Sequence, residues 1–363
     1  MTNERDIERL LGHWLGDGPT QAPDRVLDIV ADRIERQAQR PAWRLDWRHL
    51  NMNAYAKVAI AAATVLLIAV IGSAVLPRLH LGVVGTPKPI IEVLDRYSAS
   101  ALGLVRPVDL AIAPNGDLYV TGSNDRISQI SSTGSVIRSW GTTGSGDGAF
   151  DFNGQQADNG AYASLAVGPD GKVYVSDSDN HRVQVFSADG TFIRKFGNNG
   201  TARGQFGLPF DLSVDAAGNV YVLDDILQRL TKFAPDGPVL WVADAVTDPA
   251  LDGHGHDAKI DSKGRIVVGN DDNGKVVFLD PSGQVLESFD ADACDVTSDA
   301  ADNLFVGGCG SERITIYDPS HHLIGSWSDT TLRATPRFGP NGEVFALDTQ
   351  GNILRLAVNL PGS

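Results

Sequence analysis

The chain has 363 residues, 42% of them hydrophobic and 7% aromatic, with 30 Lys+Arg against 45 Asp+Glu, a net charge of −15. Residues 1–57 carry 9 basic and 9 acidic side chains, so the whole excess of negative charge belongs to residues 58–363. An acidic domain repels polyphosphate, which argues against a nucleic-acid partner.

Residues 1–53 read as a small helical head. Ile7, Leu10, Leu11 and Trp14 fall on one helical stripe, with Asn3 placed to cap the start and Gly16 and Gly18 to end it. Pro23 suits the first turn of a second helix that carries Leu27, Val30 and Ile34 on one face. Two such helices cannot bury a core alone. The segment contains no cysteine, so it lacks the ligands of a structural zinc site.

Residues 54–77 read as a transmembrane helix. Val58 to Leu76 is an uncharged run of 19 residues, long enough to span a bilayer and too deep in the chain for a cleaved signal peptide. Arg40, Arg44, Arg48 and Lys57 precede it, and Arg78, Lys88 and Arg96 come after it. This small bias favours a cytoplasmic N-terminus. Residues 78–89 are a linker.

From residue 90 a phrase repeats six times. Its copies include Ala113-Pro-Asn-Gly-Asp-Leu-Tyr-Val120, Gly168-Pro-Asp-Gly-Lys-Val-Tyr-Val175 and Asp215-Ala-Ala-Gly-Asn-Val-Tyr-Val222, and the later copies start at Asp261, Asp299 and Gly339. Their fourth positions, 116, 171, 218, 264, 302 and 342, set a period of 38 to 55 residues. That period with β composition predicts propeller blades. Within one copy, Ser164–Val167, Val173–Val175, Val183–Phe186 and Phe192–Phe196 alternate or run apolar between polar turns, which predicts four strands. The sixth copy stops one strand short, and Ile90–Leu94 is the spare strand that would latch the ring. The propeller then covers 90–358, with 359–363 as a tail.

Gly171-Lys-Val-Tyr-Val-Ser-Asp-Ser-Asp-Asn-His-Arg-Val-Gln-Val-Phe186 resembles the NHL repeat, and Gly197–Pro209 resembles the glycine-rich approach to an NHL blade. The likeness fades after the third copy, where Tyr-Val becomes Val267-Val268, Phe305-Val306 and Phe345-Ala346. It implies an all-β, six-bladed propeller and several functions: protein binding, RNA binding, extracytoplasmic sensing or lyase chemistry. The head, the Arg-rich stretch and the single span resemble the layout of membrane-bound anti-sigma-factor-like proteins.

The only cysteines are Cys294 and Cys309. A hairpin centred on Ala301-Asp302 sets them opposite each other, which predicts a disulfide and an oxidising compartment. The loops between second and third strands form a ring of acceptors followed by cations. They offer Asp125 with Arg126, Asp177 and Asn180 with Arg182, Asp225 with Arg229, and Asp271 with Asp272. Such carboxylates suit Ca²⁺ or a cationic ligand, although each Asp equally satisfies its own turn. The repeat breaks at Asp252-Gly-His-Gly-His-Asp257, where His254 and His256 are candidates for Zn²⁺ or acid–base chemistry, with Asp257 beside them. The expected function is a membrane-anchored, extracytoplasmic propeller that binds or senses a protein, peptide or glycan of the cell envelope. The alternatives are a metal-assisted lyase or hydrolase, as the likeness to streptogramin and amidating lyases implies, and a signalling protein whose head touches a cytoplasmic regulator.

Overall fold

The structure is a computed structural model that describes residues 90–152, 162–253, 255–308, 313–328, 332 and 335–360. The expected head, the span at 58–76 and the linker lie outside the described residues. Among the described residues no helix is long and apolar enough to cross a membrane.

Among the described residues, twenty-four strands form six antiparallel four-stranded sheets. Blade 1 is β2 (Pro107–Ile112), β3 (Leu118–Gly122), β4 (Arg126–Ile130) and β5 (Val136–Trp140). Blade 2 is β6 (Leu165–Val167), β7 (Val173–Asp177), β8 (Arg182–Phe186) and β9 (Phe192–Phe196). Blade 3 is β10 (Pro209–Val214), β11 (Val220–Asp224), β12 (Arg229–Phe233) and β13 (Val239–Asp244). Blade 4 is β14 (Gly255–Ile260), β15 (Ile266–Asn270), β16 (Lys275–Leu279) and β17 (Val285–Asp290). Blade 5 is β18 (Asp295–Ser298), β19 (Leu304–Gly307), β20 (Arg313–Tyr317) and β21 (Leu323–Ser328). Blade 6 takes β22 (Arg337–Phe338), β23 (Val344–Leu347) and β24 (Ile353–Val358), and its fourth strand is β1 (Ile91–Tyr97). The closing strand runs three residues further than Leu94. It pairs Ile91 with Val358 and Tyr97 with Ile353, around a bulge between Val93 and Asp95.

The repeated phrase is the turn between the first two strands of each blade. Its Gly116, Gly171, Gly218, Gly264 and Gly342 all have φ between 77° and 85°, and Asp302 takes φ 61° in the one copy without glycine. The tyrosine and valine after the turn point to opposite faces of the second strand, and both are buried, as with Tyr174 at 2% and Val175 at 0% exposed. Each blade therefore needs cover on both faces. Six apolar clusters supply it, one per blade interface. Tyr119 and Ile127 of blade 1 meet Leu165, Val175 and Phe186 of blade 2, and Tyr174 and Val185 of blade 2 meet Leu212 and Val222 of blade 3. The same arrangement continues round to Leu347 and Ile353 of blade 6 against Leu118 and Ile130 of blade 1.

The glycine-rich approach has a steric cause. At Gly197 (φ 86°) a β-carbon would lie 2.3 Å from the Phe206 ring, and Gly141 meets Phe150 in the same way. Each approach loop folds its phenylalanine back under its own glycine and into the interblade core.

Phe186 is fully buried and touches the rings of Trp140 of blade 1, Phe150 of the approach loop and Phe192 of its own blade. Phe186→Ala is expected to cost about 3–5 kcal/mol, the usual range for emptying such a site. Chemical denaturation of the variant beside the wild type checks it.

Candidate binding site at the mouth of the channel

The first strand of each blade lines the central channel, and its register assigns every channel position. Leu110 pairs with Val120, Leu165 with Val175, Leu212 with Val222, Ala258 with Val268 and Val296 with Val306. In blade 6, Arg337 pairs with Phe345, which puts Pro336 at this position. The residue before it is Asp109, Ser164, Asp211, Asp257, Asp295 or Thr335 in blades 1 to 6. These six form a collar.

The collar staples blade to blade. Asp109 accepts from the backbone N–H of Leu165 (3.1 Å), Asp211 from Ala258 (2.9 Å), Asp257 from Val296 (3.1 Å) and Asp295 from Thr335 (3.2 Å). Ser164 donates its hydroxyl to Asp211 (2.7 Å). Two residues further on, blades 1, 2, 3 and 5 carry Ala111, Ala166, Ser213 and Thr297, whereas blades 4 and 6 carry Lys259 and Arg337. Lys259 pairs with Asp211 at 2.7 Å and with Asp257. Arg337 lies between Asp109 (3.5 Å), Asp257 (3.6 Å) and Asp295 (3.8 Å).

Burial governs the titration here. It raises Asp211 to about 6, against the pull of Lys259 and with a further push from Asp257. It also raises Asp257, against Lys259 and Arg337. Burial opposes the charges of Lys259 and Arg337 as well, but the carboxylates around them outweigh it and hold both cations protonated. Asp211 and Asp257 both accept from the Lys259 ammonium, which sits between them.

Above the collar lies the mouth. Blades 3 and 4 carry a one-residue bulge at the same register, which leaves Phe210 and His256 without a cross-strand partner and turns them to the rim. Tyr162 of blade 2, Phe210 of blade 3 and His256 of blade 4 form a chain of rings. Tyr162 is 5.4 Å from Phe210, and Phe210 meets His256 edge-on at 5.4 Å. The His256 Nε2 lies 3.3 Å from Asp271 Oδ2, and both side chains are partly exposed. Burial raises the Tyr162 phenol, and the nearby charges of Asp225 and Asp179 add to the effect. The rim is therefore aromatic with carboxylates beside it.

The loop residues expected on the binding face divide into two groups. Asp125, Asp177 and Arg182 are buried, and they hold the approach loops. Asp125 accepts from Phe152 N–H and from the Thr143 hydroxyl, and Asp177 accepts from Asp151 N–H, Asn180 and Arg182. Arg182 donates to the carbonyls of Ser145, Gly146 and Ala149, and Arg229 repeats this on Thr201, Ala202 and Gln205. Arg126 donates to the Ser139 carbonyl, and Asp257 belongs to the collar. Asp225, Asp271 and Asp272 remain at the rim, half-buried or exposed.

His256, Asp271 and Cys294 each place one ligand atom within 4.8 Å of the others. A zinc site needs a thiolate from the cysteine, and no free thiol is found among the described residues. That leaves His256 and Asp271 as ligands here. His254 and Cys309 lie outside the described residues. The hairpin register pairs Asp295 with Gly307, which sets Cys294 opposite Gly308, one residue short of the facing pair that the sequence predicts.

The NHL repeat model matches residues 163–186, from the collar of blade 2 through its third strand. The chain carries an NHL repeat on a six-bladed propeller. NHL repeat-containing protein 3 of Mus musculus is 33% identical over 114 residues, 30% of this chain and 31% of that protein. The protein of the same name from Homo sapiens is 32% identical over 113 residues, again 30% and 31%. The chain thus spans about a third of the length of these relatives. Among solved structures, a streptogramin B lyase superposes with TM-score 0.51 at 13% identity, over 74% of this chain and 98% of that one. A catalytically inactive variant of virginiamycin B lyase from Staphylococcus aureus, with quinupristin, gives 0.53 at 11%, over 74% and 100%. At these identities the likeness is one of fold.

The buried carboxyl of the NHL propeller gives a pH test. A group whose folded pKa is raised above its unfolded value favours the folded state at low pH, and this support is lost between the two values. For Asp211 the window runs from the usual carboxylate range to about 6. Asp211→Asn cannot ionise, so its stability relative to wild type is expected to improve as pH rises from about 4 to about 6. Parallel urea titrations across that range check the sign.

Proposed function

We propose that this NHL propeller is a binding module whose mouth takes a peptide segment of a partner protein that mixes basic and apolar residues. The ring chain Tyr162–Phe210–His256 carries the reading, because it crosses three blades at the rim with Asp179, Asp225 and Asp271 near it. Aromatic faces beside carboxylates attract cations, and the net charge of −15 favours approach of a basic segment. Ile226 and Val246, 58% and 94% exposed on the blade 3 loops of the same face, add apolar contact.

In the same proposal, residues 58–76 tether the module to the membrane and the ring lies outside the cytoplasm. A Cys294–Cys309 bridge would suit that compartment. Residues 1–53 stay cytoplasmic, as insertion signals or as the contact for a regulator.

The test is peptide display on the full chain, with Phe210→Ala and Asp271→Asn in parallel. Peptides enriched on the wild type are expected to carry Lys or Arg next to an apolar residue, and to bind Phe210→Ala at least tenfold more weakly, about 1.4 kcal/mol. Enrichment that both variants retain, or that lacks basic residues, removes the proposal.

A further inference from the structure

The mouth is aromatic on one side only. Phe210 and His256 stand one residue before the collar in blades 3 and 4, and Tyr162 stands two residues before it in blade 2. At the register of Phe210 and His256, blades 1, 2 and 5 carry Val108, Ala163 and Cys294, which add no ring. The three rings follow one another around the channel axis, and each is turned from the last. Phe210 lies at 52° to Tyr162, and His256 lies at 80° to Phe210. Rings turned in succession around an axis form a curved wall. All three are partly exposed, so a guest at the mouth reaches them.

Charge stands beside this wall rather than in it. Asp179 and Asp225 act on the Tyr162 phenol through their charge, with no hydrogen bond to it. Among the described residues, neither carboxylate makes a side-chain hydrogen bond or an ion pair. Asp271 stands at the other end of the wall, 3.3 Å from the His256 Nε2.

The rings and the carboxylates together select among cations. A primary ammonium or a guanidinium carries N–H groups that give up water on entering and need acceptors in direct contact. The ring faces of the wall offer none. A trimethylammonium has no N–H to satisfy. Its charge is spread over methyl groups that lie against ring faces, while carboxylates further off balance it. An anion would be repelled by the same carboxylates, and a neutral apolar guest would leave them without a counter-charge.

We propose that the wall Tyr162–Phe210–His256 is a receptor for a trimethylammonium group. This rests on the reading of the mouth as a cation-binding site and names the cation it prefers. The group is either the head of a trimethylated lysine in the partner segment or a free small molecule such as choline, which present the same chemistry to the rings.

The experiment is calorimetric titration of the full chain with capped lysine (Nα-acetyl-lysine amide), its Nε-trimethylated form, choline and 3,3-dimethylbutan-1-ol, which has the shape of choline without the charge. The trimethylated lysine is expected to bind roughly tenfold or more tightly than the unmodified one, and choline likewise against the alcohol. Tighter binding of choline identifies a free molecule as the guest, and tighter binding of trimethyllysine identifies a modified side chain. Phe210→Leu keeps an apolar side chain and removes the ring, and is expected to weaken both trimethylammonium compounds roughly fivefold or more. Phe210→Tyr restores a ring and is expected to keep the wild-type affinity, which a purely structural role for Phe210 would not predict from ring chemistry. The proposal falls if neither trimethylammonium compound binds, if unmodified lysine or the alcohol matches its trimethylammonium counterpart, or if Phe210→Leu binds as the wild type does. The peptide display uses unmodified cations and tests the broader reading alone, so either can fail while the other stands.

Discussion

A four-stranded sheet with apolar residues on both faces cannot exist alone in water, and this constraint orders the molecule. Tyr174 and Val175 are neighbours in sequence, point in opposite directions and are both buried, so blade 2 must be sandwiched. The requirement passes from blade to blade and is met only when the last blade covers the first, at Leu347 and Ile353 against Leu118 and Ile130. Closure then brings six inner strands around one axis. Their edges carry polar backbone that must be satisfied there, and the collar does so. A carboxylate of one blade takes a backbone N–H of the next in four places. Apolar packing sets the ring, and the polar staples fix its register around the axis.

The same geometry sorts the acids of the chain. Those spent on loops, such as Asp125 and Asp177, lie under backbone N–H groups and cations and offer nothing outward. Those in the collar are stapled but outnumber their bases. Those at the rim, Asp225, Asp271 and Asp272, stay near water. One residue type thus does three jobs, separated by depth along the channel. A likeness in fold to lyases is compatible with any of them and selects none.

Much of the architecture could be read from the chain because it repeats. Turn glycines at a steady interval, and strands that restart with Tyr-Val, specify a blade, and a sixth copy lacking a strand shows where the ring must close. The second-to-third-strand loops were harder. Asp177 and Arg182 look alike as a ligand pair and as a loop clamp, and only the position of the Ser145–Ala149 carbonyls separates the two. The collar carries a faint signal: Asp109, Asp211, Asp257 and Asp295 stand at one register, each four residues before its copy of the repeated phrase. Lys259 and Arg337 interrupt small residues at a single position, a contrast visible only once the strands are aligned by pairing. The Phe210–His256 contact joins two blades through bulges that no local pattern announces.

The closing strand has a mechanical consequence. Ile91 pairs with Val358, so the strand entering the ring and the strand leaving it meet at the same end of blade 6. Tension applied between the two chain ends would open β1 from β24 one pair at a time, beginning at Ile91, instead of sliding the strands past each other. The ladder would part like a zip rather than resist in shear. Anything attached before residue 90 and anything attached after residue 358 therefore leave the ring side by side, and a load on either reaches the seam before it reaches any other blade.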